Sequence, residues 1–480
     1  MTTVETPGFN TRLWRRFVAI ARPYWLSHER WPAWGMLALL VVLLLGQTAF
    51  SVLFNQQTGE FTSALAARDA DRFWAAIRVY AAILVAAVPM YALYYYVREV
   101  LGLRWRRWLT ERFLQRYFSQ RAYYRLGTSG IDNPDQRIAE DIKSFTQQSL
   151  YFAMVALGAV IDLAAFSAVL WAISRSLVYF LLGYALLSTL FTGAVFGKRL
   201  ITLNFRQLQR EADFRFSLVR VREHAEPIAF HDGEAREMSA LLQVFDRLYA
   251  NCRRVLSWQF RLNLLQYGHS FLTIVLPTVI IANDVLSGQL EVGRAIQAAG
   301  AFAAILGALT ISVQNFDGLS RFSAGIDRLH TFSQALDDVT APKPDVATHI
   351  QTTPGDCLAL HGVSVFTPDH GQRLVQGLTL TVAPGQGLMI VGPSGAGKSS
   401  LLRAMAGLWN TGAGTITRPT GAHMLFLPQQ PYLPLGDLRC QLSYPQAADT
   451  FSDGELLQWL HRVNLPTLAD RFGGLGTELD

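Results

Sequence analysis

The sequence predicts a six-span α-helical membrane domain fused to an incomplete α/β P-loop domain. Three observations lead there. Apolar runs close to the roughly 20 residues that a bilayer core demands recur six times between residues 35 and 317. The long loops that alternate with them are loaded with arginine. Further on, the apolar run Gly387-Leu-Met-Ile-Val391 leads into Gly392-Pro-Ser-Gly-Ala-Gly-Lys-Ser399, with Ser400 behind it. That is the strand, glycine-rich loop and helix context of a phosphate-binding loop.

Composition agrees. The chain is 51% hydrophobic and only 16% charged, and its mean hydropathy is +0.21. Long apolar runs at that charge density point to a membrane protein. Cys252, Cys357 and Cys440 are scattered with no C-x-x-C spacing, which argues against a disulfide framework or a zinc site. Residues Met1 to Asn10 lack the basic-then-apolar design of a cleaved signal peptide.

In chain order, residues 1–34 form an interfacial segment. Leu13 to Arg22 alternate apolar and basic residues at helical spacing, and Trp25, Trp31 and Trp34 suit the headgroup level. The membrane domain, 35–336, holds spans near 35–56, 74–97, 150–173, 177–197, 264–284 and 295–317. The segments 98–149 and 198–262 carry the arginines, whereas 57–73, 174–176 and 285–294 are short and near charge balance. The positive-inside rule therefore puts both long loops, both termini and the P-loop in the cytoplasm. Helices continuing out of the membrane explain those basic loops more simply than a nucleic-acid partner does.

Residues 337–356 turn polar and break at Pro342, Pro344 and Pro354, as a linker does. From 357 to 480 the periodicity becomes that of strands and helices. Strands are expected at Cys357–Phe366, Leu374–Val382, Gly387–Val391, Gly414–Thr417 and His423–Leu427, with a helix from Ser452 to Val463.

The P-loop residues Gly392, Pro393, Ser394, Gly395, Ala396, Gly397, Lys398, Ser399 and Ser400 have the chemistry of a triphosphate cradle. Glycines allow the backbone N–H groups to converge on phosphate oxygens, Lys398 reaches the β- and γ-phosphates, and the Ser399 hydroxyl suits Mg²⁺. A helix opening at Lys398 adds the positive end of its dipole. ATP with Mg²⁺ is the expected ligand.

Six spans with long cytoplasmic loops, fused to a P-loop domain, resemble a half transporter of the ATP-binding cassette superfamily, with a type IV, exporter-like membrane fold. Asn133-Pro-Asp-Gln-Arg-Ile-Ala-Glu-Asp-Ile142 resembles a block in the bacterial SbmA/BacA-like importers of peptide antibiotics, bleomycin and cobalamin, and in the peroxisomal fatty-acyl half transporters. Glu223-His-Ala-Glu-Pro-Ile-Ala-Phe-His-Asp-Gly-Glu234 is similar to their shared EAA-like loop. Pro428-Gln-Gln-Pro-Tyr-Leu-Pro-Leu-Gly436 and Ser443-Tyr-Pro445 match their nucleotide domain, and Pro23-Tyr-Trp25 with Phe61-Thr-Ser-Ala-Leu65 favours the bacterial branch.

The resemblance implies a homodimer in the bacterial inner membrane, with 133–142 and 223–234 facing nucleotide domains. It gives Gln429 a contact to Mg²⁺ and the attacking water, and places Thr367, beside Phe366, where an adenine-stacking aromatic is usual. No L-S-G-G-Q-type signature, Walker B pair or switch histidine follows the P-loop before Asp480, so the chain reads as truncated, able to bind ATP but not to hydrolyse it.

Asp162 in the third span and His269 in the fifth are candidates for the cargo path, because ionisable groups are costly in a bilayer. The other reading is that they pair with polar neighbours. An importer of peptide-like or cobalamin-like cargo is the leading function. The alternatives are an exporter or lipid translocator, an ATP sensor, and a proton-coupled importer.

Overall fold

The computed structural model describes residues 11–126, 134–340, 349–367, 371–419, 424–427 and 432–479. They fall into two compact units divided between Ala341 and Pro342. Helix continues to Thr340, so the first unit extends past the boundary at 336 expected from sequence.

Every regular element among the described residues of the first unit is a helix. The unit opens with α1 (Thr11–Trp25), α2 (Arg30–Ala66), α3 (Ala70–Phe118) and the short α4 (Ala122–Leu126). One turn, α5 (Pro134–Gln136), passes through a π-helical turn at Arg137–Asp141 into α6 (Ile142–Ile173). Then α7 (Arg175–Thr192) runs through a second π turn, Gly193–Gly197, into α8 (Lys198–Glu223). The unit finishes with α9 (Ala225–Phe230), α10 (Glu234–Ile280), α11 (Ala282–Leu286), α12 (Val292–Gln314) and α13 (Phe316–Thr340).

At 1.5 Å per residue, the 49 residues of α3 and the 47 of α10 reach about 70 Å, more than twice a ~30 Å hydrocarbon core. The arginine-rich segments are thus helical extensions of apolar helices. One pair of extensions is tied together where Asn251 on α10 donates to the Leu203 carbonyl and the Gln207 side chain of α8.

Four helical stretches among the described residues are long and apolar enough to cross a membrane: Arg30–Ala66, Ala70–Leu126, Pro134–Ile173 and Val292–Leu309. Helix also covers the fourth and fifth expected spans, but the fifth breaks at Ile281, between α10 and α11.

In the described part of the interfacial segment, one face of α1 packs against other helices of the unit. Leu13, Ile20, Ala21 and Tyr24 of α1 are buried in a cluster with Trp105, Phe145, Phe322 and Phe332. Tyr24 stacks on Trp105 at 5.5 Å, and burial, followed by the charge of Glu29, pushes its phenol up to about 12. Trp31 and Trp34 stay exposed.

The second unit is built on a four-stranded sheet of β1 (Gln351–Pro354), β2 (Leu358–Phe366), β3 (Arg373–Val382) and β4 (Gly412–Arg418), in the order β1-β4-β2-β3. β1 runs parallel to β4, and β2 pairs antiparallel with β4 on one side and β3 on the other. α14 (Lys398–Met405) packs Leu401, Ala404 and Met405 into the cluster formed by Leu360, Val363, Val365 and Ile416. A two-residue ribbon joins β5 (Gly436–Asp437) to β6 (Glu478–Leu479) around α15 (Leu438–Ser443), α16 (Asp453–Arg462) and α17 (Leu468–Arg471).

Two expected strands are absent from the sheet. Residues 387–391 and the described part of the other, 424–427, make no ladder pairing, and Met389 and Leu425 are 84% and 85% exposed. An apolar run can supply a strand's side chains, but its backbone becomes a strand only beside a partner. Among the described residues no strand lies against either run.

Candidate functional site

The P-loop is shaped by its glycines. Gly395 and Gly397 take φ of +84° and +86°, where an L side chain is strained, and a Cβ on Gly397 would stand 3.0 Å from the Cβ of Leu374. Gly397 is the N-cap of α14, whose buried inner face fixes the helix on the sheet. Lys398 folds back across the loop, its Nζ donating to the carbonyls of Gly392 at 2.7 Å and Pro393 at 2.8 Å. The ammonium, the helix N-terminus and the exposed Ser399 therefore gather at one short loop.

These residues fit a Mg-triphosphate: left-handed glycines, an aligned cation and a hydroxyl for the metal. A bound Mg-triphosphate would bring the chemical energy of its terminal phosphate. The chain would supply a positive cradle from Lys398 and the first turn of α14. No group of three His, Cys, Asp or Glu side chains suited to a metal ion occurs among the described residues. Gln429 lies outside the described residues. Thr367 is engaged with the Gln372 backbone, and the Phe366 carbonyl accepts from the Trp409 indole N–H.

The two intramembrane candidates are not brought together. Asp162 on α6 accepts a 2.5 Å hydrogen bond from the Thr48 hydroxyl of α2. His269 on α10 bonds the Tyr184 hydroxyl of α7 through Nδ1 and the Ser188 hydroxyl through Nε2, the latter at 3.1 Å. Each polar group is therefore satisfied by a neighbouring helix.

Sequence reasoning missed how α13 is held. Arg328 makes a bidentate ion pair with Asp141 at 2.9 and 2.5 Å, while Arg137 donates to the Arg328 carbonyl. Asp327 pairs with Arg16 of α1 at 2.6 Å, and Arg116 of α3 reaches Ser333 and Asp337. Asp141 lies in the 133–142 block, but its partner is 187 positions away, a separation for which no local pattern gives notice. The other expected coupling block holds α9, a six-residue helix between α8 and α10, with Phe230 of its last turn 77% exposed.

A helical unit with membrane-length apolar helices, joined in one chain to a P-loop unit, is the make-up of an ATP-powered membrane transporter. Comparison with known proteins agrees. Residues 20–286 match the family described as ABC transporter transmembrane region 2, and residues 375–472 match the ABC transporter family. An ABC transporter ATP-binding protein of Synechocystis is 43% identical over 93% of this chain and 69% of its own length. The chloroplastic ABC transporter D family member 2 of Arabidopsis thaliana is 36% identical over 96% and 75%. The mouse lysosomal cobalamin transporter ABCD4 is 27% identical over 99% and 83%. The chain belongs to the ABC transporter family, with its membrane and ATP-binding regions fused.

Proposed function

We propose that the protein works as a homodimeric half transporter of the bacterial inner membrane, moving peptide-like or cobalamin-like cargo under the control of Mg-ATP. The observation that carries this reading is the Gly392–Ser399 loop, with Lys398 lying across its mouth, on the same chain as a bundle of membrane-length helices. Six spans with both termini cytoplasmic fit the arginine bias of 98–149 and 198–262. The helices over 177–197 and 264–280 supply the fourth and fifth spans.

Cobalamin is suggested by the name of the mouse relative, and peptide by the blocks at 133–142 and 223–234. In this scheme Asp162 and His269 hold span to span, and cargo reaches them only as those helices part. Labelled cobalamin and a proline-rich peptide, titrated onto the protein in lipid nanodiscs, test the reading. One of them should bind, Mg-ATP should change the amount retained at least threefold, and Lys398→Ala should abolish that change. Binding of neither, or binding indifferent to nucleotide, overturns it.

A further inference from the structure

The ends of α2, α3 and α12 opposite the basic loops meet in a polar knot that the transport reading does not use. Arg72, in the first turn of α3, donates from Nε to Glu60 of α2 at 2.6 Å. The same guanidinium makes a bidentate pair with Glu291, just before α12, at 3.2 and 2.9 Å. One cation therefore bridges two carboxylates, one on α2 and one at the residue that precedes α12. Arg72, followed by Ser63, holds the Glu291 carboxyl below its ordinary range.

Beneath that bridge the helices touch backbone to backbone. A Cβ on Gly293 would fall 1.8 Å from the Gly59 carbonyl oxygen, and one on Gly59 would strike Gln297 and the Gly293 carbonyl. The buried Ser63 hydroxyl accepts from the Gly293 N–H at 3.0 Å. One layer deeper, Gln297 donates to the Gln56 carbonyl at 2.9 Å and Asn55 donates to the Gln297 carbonyl at 3.0 Å. Helices packed this closely leave no path between them.

We propose that this knot is the outer gate of the transporter, and that Arg72 is the positioning residue that keeps it shut. The inference rests on the topology given above, which puts loops 57–73 and 285–294 outside. Three features support a gate over a permanent weld. The ion pairs are partly exposed, with Arg72 34% and Glu291 54% exposed, so water can replace them at low cost. The pairing is concentrated in one side chain, so that losing it leaves Glu60 and Glu291 facing each other as like charges. Beneath it, the glycine contact and the amide bonds join helices by small residues and reversible hydrogen bonds. Alternating access requires that a solute path opening outward separate helices on this face, and α2 with α3 must then leave α12.

The test places a single cysteine at Ser63, which is 5% exposed, in protein whose other cysteines, Cys252, Cys357 and Cys440 among them, are replaced by serine. Reaction with a membrane-impermeant maleimide is timed in intact cells and in inside-out vesicles. Arg72→Gln should speed labelling from outside about tenfold, Arg72→Lys should restore most of the protection, and Arg107→Gln, which removes an exposed pair within α3, should change nothing. Should Arg72→Gln not yield folded protein, Glu291→Gln, which leaves the Glu60 bond in place, should give a smaller rise. Acceleration seen only in inside-out vesicles keeps the gate and overturns the topology. Labelling equally slow from both sides in folded Arg72→Gln or Glu291→Gln overturns the gate.

Discussion

Breaking the Asp141–Arg328 pair should have unequal consequences depending on which partner is removed. The Asp141 side chain is only 7% exposed, while that of Arg328 is 53% exposed. Removing Arg328 strands a carboxylate in a nearly dry site, whereas removing Asp141 leaves a guanidinium that water reaches. Stranding one member of a buried pair costs about 3–5 kcal/mol, and hydrogen bonds to charged groups contribute about 1.5–3 kcal/mol. Half-exposure of Arg328 puts this pair at the lower end, so Arg328→Ala should cost about 3 kcal/mol and Asp141→Asn, which keeps a neutral acceptor, about 1–2 kcal/mol.

Thermal unfolding in detergent should show that ordering. At roughly 2 °C per kcal/mol for a unit of this size, Arg328→Ala lowers the midpoint by about 6 °C and Asp141→Asn by about 3 °C. A double-mutant cycle, Asp141→Ala with Arg328→Ala, should return a coupling of at least about 1 kcal/mol. Equal losses for the two single variants, or additive effects in the double, would refute the reasoning from burial.

Three further outcomes are expected. Cysteines at Asp69 and Leu290 should react with impermeant maleimide from outside intact cells and one at Gly233 should not; labelling of Gly233 from outside reverses the map. Ser452→Ala, which removes the hydroxyl half of a capping box with Glu455, should destabilise α16 by about 1 kcal/mol, read as faster hydrogen exchange in that helix. The Asp437 and Glu455 carboxyls are held below their ordinary range by the Cys440 and Ser452 N–H groups. Depressed carboxylates contribute stability above their unfolded pKa values and lose it as pH falls through the folded ones, so the second unit should weaken as pH drops below about 4; an unfolding midpoint flat from pH 6 to pH 3 contradicts this.

What the sequence discloses is what lies within a few residues. The P-loop, the alternation in β2, β3 and β4, and the helix that begins after Ser452 are local and were legible. Apolar length alone located the helices but not their ends: Pro277 sits inside α10, and the break comes at Ile281. The runs at 387–391 and 424–427 have the composition of strands, yet pairing depends on neighbours remote in sequence. Asp162 and His269 stood out because charge in a bilayer is costly, but Thr48 and Tyr184, which satisfy them, look like ordinary span residues. Arg72 with Glu291, and Asp141 with Arg328, gave no sign at all, since ion pairs over more than 180 positions leave no periodicity.

Calorimetric titration of Mg-ATP onto the purified chain decides whether the loop from Gly392 to Ser399 grips a triphosphate. Charge-assisted contacts of the kind Lys398 can make contribute about 1.5–3 kcal/mol, or ten- to hundredfold in affinity. Lys398→Ala should therefore weaken binding by that factor, with Mg-GTP bound nearly as well as Mg-ATP, since neither Thr367 nor Phe366 is counted on to stack the base. Equal affinity in the wild type and Lys398→Ala would contradict the assignment of this loop as the nucleotide site.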